Sequence, residues 1–113
     1  IMPSLVGSEM CIRDRGYTLL EDCSFTRDEA LRATGQLVMR NIENVLEAGC
    51  DGALTGPIER NDIETVKRHI ACMQNDDSDD VRLYKMLGTK LVNIAEKKNP
   101  DKDYTQMMEL LRG

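Results

Sequence analysis

Tryptophan is absent and phenylalanine occurs once. Aromatic residues make up 4% of the chain, too few for the aromatic-rich strands of a β-sandwich. The interior must come from Leu, Ile, Val, Ala and Met, and the seven methionines point to helices packing on one another. Excess positive charge is also missing. A net charge of −5 and a pI near 4.9 exclude the clustered Lys and Arg of a nucleic-acid footprint. No run approaches the roughly 18–20 apolar residues of a membrane span. No basic start followed by a long apolar run marks a signal peptide. Neither GxGxxG nor GxxxxGK occurs, so this chain carries no phosphate-cradling loop. The four cysteines, Cys11, Cys23, Cys50 and Cys72, form no CxxC pair and fit no zinc or redox motif. They read as free, partly buried thiols, which places the protein in a reducing cytoplasm. What is present is 113 residues, enough for one small domain.

Ile1 to Arg15, IMPSLVGSEMCIRDR, shows neither a helical nor a strand period. Its PSLVGSEMCIRDR portion resembles a translated sequencing-adapter segment. The stretch is therefore set aside as a non-native or disordered arm, with the native chain expected to continue upstream of Gly16. Residues 16–98 then read as a helical domain lacking its N-terminal side, and 99–113 as a C-terminal tail or short helix.

Within the domain, Tyr17 to Ser24 reads as an extended connector. Thr26-Arg27-Asp28-Glu29 is a capping box, predicting a helix from about Arg27 to Ala48. Leu31, Val38, Ile42 and Val45 define its apolar face, widened by Thr34, Gly35 and Leu46. Arg32, Gln36, Arg40, Glu43 and Glu47 lie opposite. Gly49 is a C-cap candidate. Cys50 to Glu59 has turn chemistry in Asp51-Gly52 and Gly56-Pro57. Asn61 is positioned to cap a second helix, with Ile63, Val66, Ile70 and Met73 facing inward. Asn75 to Asp80 reads as a solvated acidic loop. A third helix follows from about Asp79 to Lys98, with Val81, Tyr84, Gly88, Leu91 and Ala95 on one face and Leu87 and Ile94 alongside. Gly88 would admit a close helix neighbour. Asn99-Pro100 stops this helix, and Tyr104 to Leu111 is a short final helix or a frayed tail. The fold class is all-α, a small helical bundle.

The segment Leu54 to Asp62 admits two readings. A helix N-terminus with free backbone N–H groups binds carboxylate or phosphate, with Thr55 and Arg60 adding donors. From spacing alone the favoured reading is an ordinary helix–turn–helix connection, with Gly56 for the turn, Pro57 for rigidity and Asn61 as cap. His69, the single histidine, is a weak candidate for general acid–base work. More commonly such a residue is half-buried and bonded to a loop. His69 and Cys72 supply at most two metal ligands where a structural site needs four, so no metal is expected. Asp76 to Asp80 lacks the Gly and Glu of a calcium loop.

Ala53 to His69, ALTGPIERNDIETVKRH, resembles the signature of the domain-of-unknown-function-2520 family, ALTGPI-x-RGD-x-x-TV-x-x-H. Arg40 to Val45 is similar to that family's TxEN helix, and Leu83 to Gly88 resembles its LYRxLG helix. The likeness runs from about Thr26 to Lys98. Asn61 replaces the usual Gly, and both residues tolerate left-handed backbone. The resemblance implies a C-terminal helical domain similar to those of 6-phosphogluconate dehydrogenase-like and pyrroline-carboxylate reductase-like enzymes. It further implies a preceding Rossmann-like domain that binds NAD(P), a homodimer formed through the helical part, and a small anionic substrate bound beside Thr55, Gly56, Pro57 and Arg60. The family's reaction is not established. The expected function is thus a substrate and dimerisation domain of an NAD(P)-dependent oxidoreductase-like protein, inactive alone. The alternative is a non-catalytic helical interaction module. A fragment of this kind, with uncovered apolar helix faces, is expected to self-associate.

Overall fold

The computed structural model describes residues 2–73 and 78–113. It contains α1 (Met2–Asp22), α2 (Arg27–Ala53), α3 (Ile63–Met73), α4 (Ser78–Lys98) and α5 (Thr105–Arg112), with no strand among the described residues. The all-α expectation holds. Much of the expected acidic loop, through Asp77, lies outside the described residues, but Asp79 and Asp80 do occupy the first turn of α4. The chain divides into two compact units, Ile1–Glu43 and Asn44–Gly113, with the boundary inside α2.

In the first unit, α1 occupies the stretch expected to be irregular and most of the expected extended connector at Tyr17 to Ser24. No α1 residue is buried, and Met2, Leu5 and Val6 are more than half exposed. A helix that buries nothing needs no apolar stripe, so periodicity gave no sign of it. Local contacts support it instead. Arg13 pairs with Glu9 one turn away, and Thr18 returns its hydroxyl to the Asp14 carbonyl at 3.0 Å. It ends where Ser24 turns left-handed at φ 74°. Phe25 N–H then donates to Leu20 O at 3.1 Å and Ser24 N–H to Glu21 O at 3.0 Å, a Schellman closure built without glycine.

The capping box of α2 forms as read. Glu29 N–H donates to the Thr26 hydroxyl and Thr26 N–H to the Glu29 carboxylate, each at 3.1 Å. Arg27 reaches back to Asp14 and Glu21 and lies 5.0 Å from the centre of the Tyr17 ring. The α2 face expected to be core is largely open. Ala30 is fully buried, but Leu31 is 45% and Ile42 49% exposed.

In the second unit, α2 breaks at Gly49, whose φ of 75° and ψ of 171° suit only glycine. Beyond the break the chain is helical again to Ala53. Asp51-Gly52 is therefore helix rather than turn, and the connector begins at Leu54, not at Cys50. The core comprises Ile58, Val66, Ile70, Val81, Val92, Ala95, Tyr104, Met107 and Leu111, where α3, α4 and α5 pack together. The α3 face is as read, with Val66 and Ile70 buried. On α4, Leu87 is 39% exposed, whereas Val92, outside the expected face, is fully buried. The buried row of α4 runs Val81, Gly88, Val92 and Ala95, rotated slightly from the expected one because α5 covers it. The C-terminal segment is a helix, not a frayed tail. Gly88 is a point of close approach to α5, since a Cβ there would lie 2.9 Å from Leu111 Cδ2.

Candidate functional site

The Leu54 to Asp62 turn is built on three internal bonds. Arg60 N–H donates to Gly56 O at 3.0 Å, Asn61 N–H to Ile58 O at 3.1 Å and Asp62 N–H to Pro57 O at 2.8 Å. Gly56 has φ 111°, a conformation that disfavours any side chain, and Asn61 sits at φ 60°, the left-handed geometry its amide tolerates. Ile58 anchors the turn in the core at 7% exposure. Thr55 and Arg60 are exposed, and Gly56 and Pro57 partly so.

The cap of α3 differs from expectation. Asp62, not Asn61, holds it: Thr65 N–H donates to Asp62 Oδ1 at 3.1 Å and the Thr65 hydroxyl to Oδ2 at 2.7 Å. Asn61 turns away and donates its Nδ2 to Asp103 O at 2.9 Å. Its Oδ1 is buried with no partner among the described residues. The physical reason is register. Asn61 at φ 60° completes the turn, so the cap falls one residue later. Some of the expected free donors are taken up within the chain. Ile63 N–H goes to Asn61 O and Val66 N–H to Asp62 O, so with Thr65 these groups are satisfied internally. A resident carboxylate faces the positive end of the helix, its pKa held below the usual range first by the Thr65 hydroxyl and then by the Thr65 backbone. An anion there would draw on the exposed side chains of Thr55 and Arg60. Arg60 is close enough to Asp62 to lower its pKa further.

A second tier of bonds fixes the turn from behind, and its members went unnoticed in the sequence. Lys98 Nζ donates to Leu54 O at 2.7 Å and lies 3.5 Å from Glu59 Oε1. Asn99 Nδ2 donates to Glu59 Oε1 at 3.0 Å. The Tyr104 hydroxyl, on a residue 2% exposed, donates to Glu59 O at 2.5 Å. The Asn99 bond chiefly, with Lys98 and Lys102 assisting, holds the Glu59 carboxyl below its ordinary pKa. The signal available was Tyr104 itself, because a buried tyrosine needs a partner for its hydroxyl.

Both depressed carboxyls act on stability in the same direction. Their contribution is complete above their unfolded values, near 3.8 for Asp62 and 4.5 for Glu59, and is lost as pH falls through the lower folded values. Melting temperature is accordingly expected to fall on acidification below about pH 4.5. Asp62→Asn is expected to melt lower at neutral pH and to show a shallower acid decline. A parallel decline in wild type and variant, followed by circular dichroism, would remove Asp62 from this role.

His69 is exposed rather than half-buried, and its partner is a helix rather than a loop. Nδ1 lies 2.9 Å from the Tyr84 hydroxyl, with the rings edge-to-face at 5.9 Å and 84°. It shares no hydrogen bond with the turn among the described residues. Three open clefts lie elsewhere: along α2 beside Leu37 and Met39, between α4 and α5 beside Met86 and Leu111, and beside Tyr104 and Met108. None of these three is lined by Thr55, Gly56, Pro57, Arg60 or His69. Among the described residues no three His, Cys, Asp or Glu side chains group as metal ligands. The four cysteines are free, as read, but exposed rather than partly buried. No described helix is long and apolar enough to cross a membrane.

The model of the family described as "Domain of unknown function (DUF2520)" matches residues 11–91. The match begins inside α1, ends inside α4 and contains both the turn and the His69–Tyr84 pair. No curated protein and no solved structure matches the chain.

Proposed function

The chain belongs to the DUF2520 family, and on that footing we propose that it forms the helical substrate and dimerisation domain of a cytoplasmic NAD(P)-dependent oxidoreductase-like protein. The observation that carries this reading is the open apolar face of α2 within the first unit, where Leu31 is 45% and Ile42 49% exposed on one side of the helix. Soluble monomers rarely leave such a surface bare, and a second copy of the domain is the natural cover. NAD(P) would be held by a Rossmann-like domain of the complete protein, since no glycine-rich phosphate loop occurs in this chain. Thr55 and Arg60 supply donors for a small anionic substrate, and His69 is the candidate for proton chemistry.

Two measurements test this. The chain should sediment as a dimer or larger species, and Leu31→Glu with Ile42→Glu should shift it toward monomer. In the complete protein, Arg60→Ala and His69→Gln should abolish NAD(P)H turnover on a panel of small carboxylates and phosphates while leaving the melting curve unchanged. Lowered melting with intact turnover per folded molecule supports the second reading, a non-catalytic helical interaction module. The Asp62 carboxylate at the α3 N-terminus favours that second reading, because it competes with any anion for the same field.

A further inference from the structure

His69 on α3 and Tyr84 on α4 are fifteen residues apart and are joined by a hydrogen bond of 2.9 Å. We propose that Tyr84 is a positioning residue whose hydroxyl donates to Nδ1 of His69, so that neutral His69 is held as the Nε2–H tautomer. It then presents a hydrogen-bond donor, not a base, to a carbonyl or carboxylate oxygen.

The direction of the bond follows from what each partner lacks. Among the described residues, Nδ1 is the acceptor within reach of the Tyr84 hydroxyl. Tyr84 is half-buried on α4 and its ring packs among the core-flanking residues. Burial raises the pKa of its phenol, so the hydroxyl keeps its proton throughout the range in which imidazole titrates. If Nδ1 carried the hydrogen, the phenol oxygen would accept and its own proton would lose its protein partner. With the phenol donating, Nδ1 is filled as acceptor and the single ring proton of neutral histidine must sit on Nε2. The edge-to-face packing of the two rings fixes the imidazole plane as well as its tautomer. His69 is exposed, so the Nε2 edge is the one left for a ligand. A neutral imidazole fixed in this way polarises an oxygen without first having to bind a proton. The assignment narrows the proposed role of His69 from proton transfer to hydrogen-bond donation and rests on the proposed function for its use, but the tautomer itself does not.

Long-range proton–nitrogen NMR of the full chain, well above the pH at which histidine protonates, reads this directly. The expected wild-type pattern is one tautomer, with Nε2 pyrrole-like, Nδ1 pyridine-like and a cross-peak from the Tyr84 hydroxyl proton to the His69 ring. In Tyr84→Phe that cross-peak should be lost, Nδ1 should shift toward its unbonded position, and the tautomer population should relax toward that of a free imidazole. Nδ1 found protonated in the wild type, or a His69 spectrum unchanged by Tyr84→Phe, overturns the proposal. Neither outcome depends on NAD(P) turnover, so a failure of the oxidoreductase reading stays distinguishable from a failure of this one.

Discussion

Met107→Ala is expected to lower the unfolding free energy by about 2–5 kcal/mol, the range for emptying a packed aliphatic site. Met107 is fully buried, and with Tyr104 and Leu111 it places α5 in the middle of the core. Removing its thioether arm leaves a void between α3, α4 and α5 that these short helices close only in part. Against a total stability of about 5–15 kcal/mol for a domain, this is a large fraction. The control is Met86→Ala on α4. Met86 is 69% exposed, so its replacement should stay within about 0.5 kcal/mol. Urea unfolding of both variants separates them by midpoint. Equal midpoints would falsify the placement of α5 in the core.

That placement marks where the sequence was legible and where it was not. The capping box at Thr26, the inward row of α3 and the stop at Asn99-Pro100 all rest on local chemistry, and all are present. Gly49 and Gly56 fell at positive φ because glycine alone relieves that strain. The failures are of a different kind. A short helix was one of two readings of Tyr104 to Leu111, but its place in the core was not foreseen, because eight residues carry too few turns for an inward row to stand out. α1 has no stripe because it buries nothing. The cap at α3 slipped by one residue because Asn61 was committed to the turn, a choice visible only once Asp103 is seen to accept its amide.

The candidate site divides along the same line. Thr55, Gly56, Pro57 and Arg60 were found together because they are contiguous, and contiguity needs no fold. Glu59, Lys98, Asn99 and Tyr104 were missed because bonds of 40 or more residues' separation, such as Lys98 to Leu54, have no signature in a one-dimensional pattern. The Tyr84 partner of His69 was missed for the same reason.

Gly88→Val is expected to couple the core to that turn. A Cβ at Gly88 would lie 2.9 and 3.1 Å from the two Leu111 methyls and 3.3 Å from Ile58 Cδ1. Leu111 is 2% and Ile58 7% exposed, so both are core side chains, with only the cleft beside Leu111 offering room to shift. Gly88→Ala sets a helix-propensity gain of about 1 kcal/mol against the crowding, and the two largely offset. Valine adds two methyls and surrenders part of the propensity gain, so overpacking dominates at about 1–3 kcal/mol. Trimming the obstacle should recover part of the loss. The double variant Gly88→Val with Leu111→Ala should lose less than the sum of the two single losses, with a coupling of about 0.5–3 kcal/mol. Strict additivity of the urea midpoints would mean that the introduced valine and Leu111 do not meet. Ile58 gives the variant a functional reading as well. It is the anchor of the Gly56 to Asn61 turn, so pressure on its Cδ1 is transmitted to the backbone that carries Arg60. Gly88→Val should therefore broaden or shift the amide resonances of residues 55–61, whereas Met86→Ala should leave them in place. Unmoved turn resonances in Gly88→Val would show that the turn is fixed by its polar ties to Lys98, Asn99 and Tyr104 alone, and that Ile58 only fills space.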